Sequence, residues 1–450
     1  MNKQTSNILS ISPVDGRYHH ICEPISDYFS EFALIKYRVL VEIRYFISLS
    51  ELPIPSLKNL SKKDLDKVSK ISSDFSLDDA VTIKNIEKKI NHDVKAVEYF
   101  IKEKFDRLDL SSYKEYIHFG LTSQDVNNTA IPLMLKDSID NILSTSFTEI
   151  VNLLHSKTNE LRGISMIART HGQPASPTTF GKEFEVFGER LKNQINSLTH
   201  IPNNGKFGGA SGNLSAHYVS YPKIDWDKFS DKFLKSLGLT RSRPTTQIEH
   251  YDNMAAIFHN LLRINTILID LCRDIWHYIS INYLIQKVNK NEVGSSAMPH
   301  KVNPIDFENA EGNLLLANSQ FSFLAEKLPI SRLQRDLTDS TVTRNIGVPI
   351  SHTLIAIESI KKGMDKIDVN KLKIEMDLEN NWAVVSEAIQ TILRRENISK
   401  PYELLKDLTR GNDEINKESI QNFIKNLPVS EKVKKELLSI TPQNYIGNAI

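Results

Sequence analysis

Residues 253–284 read NMAAIFHNLLRINTILIDLCRDIWHYISINYL. Their apolar positions Met254, Ile257, Phe258, Leu261, Leu262, Ile267, Leu268, Leu271 and Ile275 recur at helical spacing and wrap most of the way round the axis. A helix that is apolar on nearly every side is buried among other helices or in a subunit interface. Arg263, Asp270, Arg273 and Asp274 interrupt the run, which leaves it well short of the roughly 18 uncharged residues of a membrane span. The stretch therefore predicts the centre of a helical bundle in a soluble chain.

The flanking sequence extends this pattern. Ile83, Ile86, Ile90, Val94, Val97 and Ile101 predict one buried helix stripe, with Asn91, His92 and Asp93 on the same helix and His92 turned off the core face. A second long helix is expected from Asp125, bent or delayed at Pro132, through Leu135, Ile139, Ile142, Ile150 and Leu154. Ser61-x-x-Asp64 has the form of a capping box. Trp382 to Arg395 and Pro401 to Leu408 read as short helices, with Gly411 as a stop. The expected fold class is all-α, in three helical domains at 1–111, 112–364 and 365–450, the middle one a bundle of long helices.

Composition agrees. Gly and Pro number 17 each among 450 residues, below the roughly 12% the two make up in average proteins, which favours long helices over strands and turns. With 56 basic and 55 acidic side chains the formal charge is +1, too small a net field for a dedicated nucleic-acid or membrane-surface binder. Cys22 and Cys272 are the whole cysteine complement, too few for a disulfide framework and without metal-ligand spacing, so a reducing, cytoplasmic compartment is expected. The N-terminal residues contain no apolar run of secretory length.

Four irregular segments concentrate the chemistry. His118-Phe-Gly-Leu-Thr-Ser-Gln-Asp125 leads into a helix; Thr122, Ser123 and Asp125 are plausible N-caps, and the same geometry can bind an anion. Arg169-Thr-His171-Gly-Gln-Pro places a titratable imidazole in a Pro-rich loop between two helical stretches, either a strut or a proton donor or acceptor. Residues 203–213, rich in Gly around Lys206, lack the Gly-Lys-Ser/Thr of a phosphate loop and read as a tight connection. In Gly294-Ser-Ser-Ala-Met-Pro-His-Lys-Val-Asn-Pro304, Lys301 and Asn303 offer a cation and an amide donor suited to a carboxylate that gains charge. Beyond it Arg335, Ser340 and Arg344 could chelate a phosphate or simply pair with Asp336 or Asp339 on a solvated face.

The 294–304 segment matches GSSxMPxKxNP, the signature loop of the fumarase/aspartase superfamily. Together with His300, Thr170-His-Gly-Gln-Pro174, Thr122-Ser123, Pro13-Val-Asp-Gly-Arg-Tyr18, Asn91-His-Asp93, Ile305-Asp-Phe-Glu-Asn309 and Gln334-Arg-Asp-Leu-Thr-Asp-Ser340, it resembles the adenylosuccinate lyase family, longer bacterial-type branch, from residue 13 to about 346. Thr441-Pro-Gln-Asn-Tyr-Ile-Gly447 extends the likeness.

The resemblance implies a fumarase/aspartase-like fold whose long helices join a homotetramer, with each active site shared between subunits. It implies elimination of fumarate from adenylosuccinate and from SAICAR, small nucleotide substrates, and no metal or organic cofactor. By matching position, Ser295 is the base and His171 the general acid. Lys301 and Asn303 hold the fumarate carboxylates, Asn91, His92 and Asp93 contact substrate, and Thr122 and Ser123 meet the succinyl group. Gln247 is a polar anchor, and Arg17, Tyr18, Arg335, Ser340 and Arg344 serve the phosphate end. The signature loop reports fumarate release rather than the leaving group, so a sibling such as argininosuccinate lyase or fumarase is the nearest alternative. A non-catalytic helical scaffold is the alternative from another class.

Overall fold

A computed structural model describes residues 8–287, 298, 302–411 and 415–449. In chain order its longer helices are α1 (Glu31–Ser50), α2 (Leu77–Ile90), α3 (Asp93–Arg107), α4 (Ser123–Ser138), α5 (Ser144–Leu161), α6 (Phe180–Thr199), α7 (Asp252–Ser280) and α8 (Ile305–Lys327). The short α9 (Thr338–Thr343) and the long α10 (Gly347–Lys366) follow. Strand pairing among the described residues is confined to two-stranded ladders: β1 (Ser165–Thr170) with β2 (Gln173–Thr179), β3 (Asn204–Gly205) with β4 (Thr240–Arg241), and β5 (Leu284–Gln286) with β6 (Ile367–Val369). Two compact units are present: one formed by residues 1–147, 194–266 and 312–358, the other by 148–193, 267–311 and 359–450.

In the first unit α1 packs along α4. Ser30 caps α1 by accepting the Ala33 amide at 3.1 Å, and the helix buries Leu34, Ile35, Val39, Ile43 and Phe46 against its neighbours. The Ser61/Asp64 capping box forms as its spacing predicts. The single helix expected over 83–101 is instead two. Asn91 adopts the left-handed conformation (φ 52°) and closes α2, while His92 is extended and caps α3. Asn pays less than most residues for a positive φ because its short side chain can bond locally. Ile90 is consequently 36% exposed rather than part of the core.

α4 continues through Pro132. A proline has no N–H for the carbonyl four residues back, and the Asn128 carbonyl freed in this way accepts the backbone amide of Lys206 at 3.1 Å. The break in the helix ladder thus becomes an anchor for a distant loop. One turn of π-helix, Ile139–Leu143, joins α4 to α5.

α7 meets its expectation: Ile257, Phe258, Leu261, Ile264, Leu268, Leu271 and Ile275 are buried. By length and hydropathy alone this helix could cross a membrane, but most of its apolar window is buried inside the protein. Asp270 and Arg273 are ion-paired to Arg190 and Glu311 at 2.6 and 2.7 Å.

In the second unit the Pro-rich loop expected around His171 is a β-hairpin. β1 and β2 pair antiparallel from Ser165↔Thr179 to Thr170↔Gln173, and the two-residue connection is His171-Gly172, both at positive φ (53° and 76°). That is the turn whose twist matches the flanking strands. Phe180, at the start of α6, packs its ring on Tyr278 of α7 at 5.0 Å.

Candidate active site

The first unit gathers most of the sequence-predicted residues around the N-terminal half of α4, whose polar side chains are buried: Gln124, Asp125, Asn127 and Asn128. A buried polar group is costly unless hydrogen-bonded, and each of these holds a separate arm of the unit. Gln124, in the amide orientation that satisfies its neighbours, accepts from Arg335 at 2.7 Å and from Ser340 Oγ at 3.2 Å. Asn127 accepts from Arg38 Nε at 2.9 Å. Asn128 donates to Tyr251 Oη at 2.6 Å, and that hydroxyl donates to Asp339 Oδ2 at 2.9 Å. Asp339 Oδ1 in turn accepts the Ser340 amide at 2.6 Å.

The two candidate phosphate arginines differ in their surroundings. Arg335 Nη2 reaches Ser340 Oγ at 3.3 Å, and among the described residues no carboxylate pairs with it. Arg344 donates to Glu31 at 2.8 Å and to Asp93 at 3.1 Å. Neither arginine pairs with Asp336 or Asp339: Asp336 is held by Arg332 at 3.1 Å, and Asp339 by Tyr251. Arg344 and Ser340 line a recess of about 100 Å³ with Glu31, Arg38 and Asn127. Burial alone would push the Asp93 carboxyl up, but Arg38 at 2.7 Å, the Val94 amide and Arg344 outweigh it and hold it below the usual range. Burial lowers Arg38 despite Asp93, though a guanidinium stays charged in proteins.

His92 is exposed because it is the N-cap of α3. Its Nδ1 accepts the Lys95 amide at 3.2 Å, which puts the proton of a neutral ring on Nε2 and leaves a donor pointing away from the helix. The Asp125 carboxylate accepts the Thr122 amide at 2.8 Å; Ser123 is the first residue of α4, half-buried. Gln247 donates to the Ala210 carbonyl at 3.0 Å. Arg17 is exposed and lies over the Tyr18 ring at 5.7 Å, and Tyr18 packs on the small cluster of Val14, Cys22 and Ile355.

In the second unit His171 is exposed at the hairpin tip. Arg169, Thr170 and Gly172 of the hairpin, with Lys182, Glu183 and Tyr278, line a cleft of about 680 Å³. Asn303 is half-buried before α8, and the neighbouring Val302 carbonyl accepts Gln286 Nε2 of β5 at 2.9 Å. Ser295 and Lys301 lie outside the described residues.

Comparison with known proteins decides the family. The lyase family matches residues 17–317 and the adenylosuccinate lyase C-terminal family residues 331–446. A protein from Dictyostelium discoideum named adenylosuccinate lyase is 57% identical over 456 residues, covering 99% of this chain and 98% of its own. The chain belongs to the adenylosuccinate lyase family. A second adenylosuccinate lyase, from Escherichia coli (strain K12), is 45% identical with 99% and 98% coverage. A crystal structure of a fumarate lyase from Mesorhizobium sp. BNC1 matches with a TM-score of 0.73 at 17% identity and covers 95% of each chain, so the all-α fumarase-like fold is shared beyond the adenylosuccinate lyases.

For this adenylosuccinate lyase family member, the sequence alone did not reveal Gln124, Arg38 and Lys206 as parts of the site's frame, and it assigned Asp125 only a cap. Lys206 was open to detection: a lysine among Gly205, Gly208 and Gly209 sits where backbones approach closely. Gln124 and Arg38 carried no signal, since their partners lie at Ser340 and Asp93, far away in the chain.

Proposed function

We propose that the chain cleaves adenylosuccinate to AMP and fumarate, and SAICAR to AICAR and fumarate, as a carbon–nitrogen lyase. The observation that carries this reading beyond family membership is Arg335: a partly buried guanidinium held by Ser340 and Gln124 and without a carboxylate partner among the described residues. A cation left in this way suits a phosphate, which its planar donors match. Fumarase and argininosuccinate lyase substrates carry no phosphate. Arg17, Tyr18, Ser340 and Arg344 complete this end, and Arg344 exchanges Glu31 or Asp93 for the ligand when it engages.

The reaction removes a proton from the carbon beside a succinyl carboxylate, the pair moves toward the adjacent carbon, and the carbon–nitrogen bond breaks. Ser295 takes the proton, activated in a positive, water-poor setting. Lys301 and Asn303 stabilise the carboxylate that gains charge. His171 protonates the departing nitrogen, and Asn91, His92, Asp93, Thr122, Ser123 and Gln247 hold the substrate. His171 at an exposed hairpin tip fits a site completed by other subunits. Leu316 and Phe323 on α8, 53% and 54% exposed, offer an apolar face for a homotetramer. The domain division 1–111, 112–364 and 365–450 and a cytoplasmic location belong to the same reading, the latter supported by two free buried thiols, Cys22 and Cys272.

The test is fumarate formation by the purified protein, followed separately with adenylosuccinate and argininosuccinate. Release from adenylosuccinate is expected; release only from argininosuccinate, or from neither, would overturn the reading. Sedimentation equilibrium checks the tetramer.

A further inference from the structure

We propose that Lys206 and Asp125 are positioning residues that hold the Thr122–Ser123 turn and Gln247 in one frame for the succinyl end of the substrate, a proposal that rests on the lyase reading above. Both side chains are completely buried and their charged atoms are 2.7 Å apart. Asp125 Oδ1 accepts Lys206 Nζ and the amides of Gly208 and Gly209 at 2.8 and 3.0 Å, while its carboxylate also takes the Thr122 amide at 2.8 Å. Lys206 Nζ donates a second bond to the Gly209 carbonyl at 2.5 Å. One carboxylate thus joins the turn before α4 to a loop 81 residues on in the chain.

That loop also holds Gln247, which lies in the later segment before α7. Ala210 accepts the Gln247 side chain, and Gly212 (φ 82°) lies so close to the 245–246 backbone that a Cβ there would sit 2.0 Å from the Thr245 carbonyl. The Asn128 carbonyl freed by Pro132 pins the loop at its other end through the Lys206 amide. A shift of residues 206–212 therefore moves both the turn and Gln247. Burying two charges is costly and an apolar pair of similar volume often stabilises a fold equally well, whereas buried ions with several directed bonds can fix one arrangement of the groups they touch. The pair's two ends meet candidate substrate contacts, which is where such fixation matters.

The experiment is a double-mutant cycle in kcat/KM for adenylosuccinate between Lys206→Met and Ser123→Ala, whose hydroxyl has no hydrogen-bond partner among the described residues. In the native background Ser123→Ala is expected to cost about tenfold or more, the worth of one hydrogen bond to a charged group. In the Lys206→Met background its cost is expected to fall below about twofold, because the turn is already displaced. Equal costs in both backgrounds would overturn the proposal. Hydrogen exchange provides a readout independent of turnover: in Lys206→Met, peptides covering 118–125 and 206–213 should exchange faster together while α2 and α3 stay unchanged. Faster exchange throughout the unit, or none in the two loops, would refute positioning in favour of general support. If Lys206→Met does not fold, the double variant Asp125→Asn/Lys206→Met, which leaves no lone buried charge, carries both measurements. A native enzyme inactive on adenylosuccinate would defeat the lyase reading, and hydrogen exchange would still decide the frame.

Discussion

Arg344 and Asp93, 251 residues apart in the chain, are joined at 3.1 Å, and the same Asp93 oxygen holds the buried Arg38 at 2.7 Å. One carboxylate therefore bridges two guanidiniums, with Glu31 as the second partner of Arg344, and ties the start of α3 to both α1 and the C-terminal end of α9.

Asp93→Asn should destabilise the protein by about 2–3 kcal/mol, because it leaves Arg38 buried without its countercharge. The folded carboxyl lies below its unfolded value, so its contribution is present above about pH 4 and is lost as the pH falls through the folded value. Denaturant unfolding of both proteins at fixed protomer concentration checks this: the gap between them should close in acid. A gap that persists unchanged at low pH would contradict it.

Arg335→Met should raise KM for adenylosuccinate by roughly 10- to 100-fold, the range for losing a charge-assisted hydrogen bond to an anion, with a smaller effect on kcat. Steady-state kinetics decide it. An unchanged KM would remove Arg335 from the phosphate end.

If, as proposed, Ser295 and His171 move protons in the transition state, Ser295→Ala and His171→Ala should each lower turnover by orders of magnitude while substrate binding persists. Calorimetric binding beside fumarate release separates the two effects. Near-native turnover in either variant would reassign that residue.

Burial lowers the His217 imidazole to about 4. Its ring lies against Gly120, where a Cβ would come within 2.7 Å, and Tyr45 Oη is 2.9 Å from Nε2. Below about pH 6.5 the unfolded chain binds a proton that the folded chain refuses, so stability falls as the pH drops toward 4. His217→Gln should flatten that fall by roughly 3 kcal/mol across the window. Unfolding free energies at stepped pH test it, and parallel slopes in the two proteins would exclude the role.

Much of the architecture was legible in the residues. The all-round apolar character of 253–284 identified a bundle helix, and α7 occupies it. The stripe from Ile83 to Ile101 was misread as continuous because its spacing survives across Asn91, where backbone conformation rather than apolar period ends the helix. The hairpin at His171 was missed although its two-residue His-Gly connection can adopt positive φ, because Pro174 and Pro177 disguise β2 as a loop. Pro132 was expected to disturb its helix; the lost bond is real, but a loop amide from elsewhere fills it.

What this amino-acid sequence determined by itself is local: where helices run, which segments break them, and which side chains capable of acid, base and anion chemistry those breaks carry. These depend on periodicity and on neighbours a few residues away. Tertiary structure alone decided which charges cancel. It gave Arg344 to Asp93 and Glu31 and left Arg335 with a hydroxyl and an amide. It also sealed Lys206 against Asp125 beyond the reach of solvent. The strength of such pairs depends on separation and on the exclusion of water, and both are set by packing between segments that lie far apart in the chain.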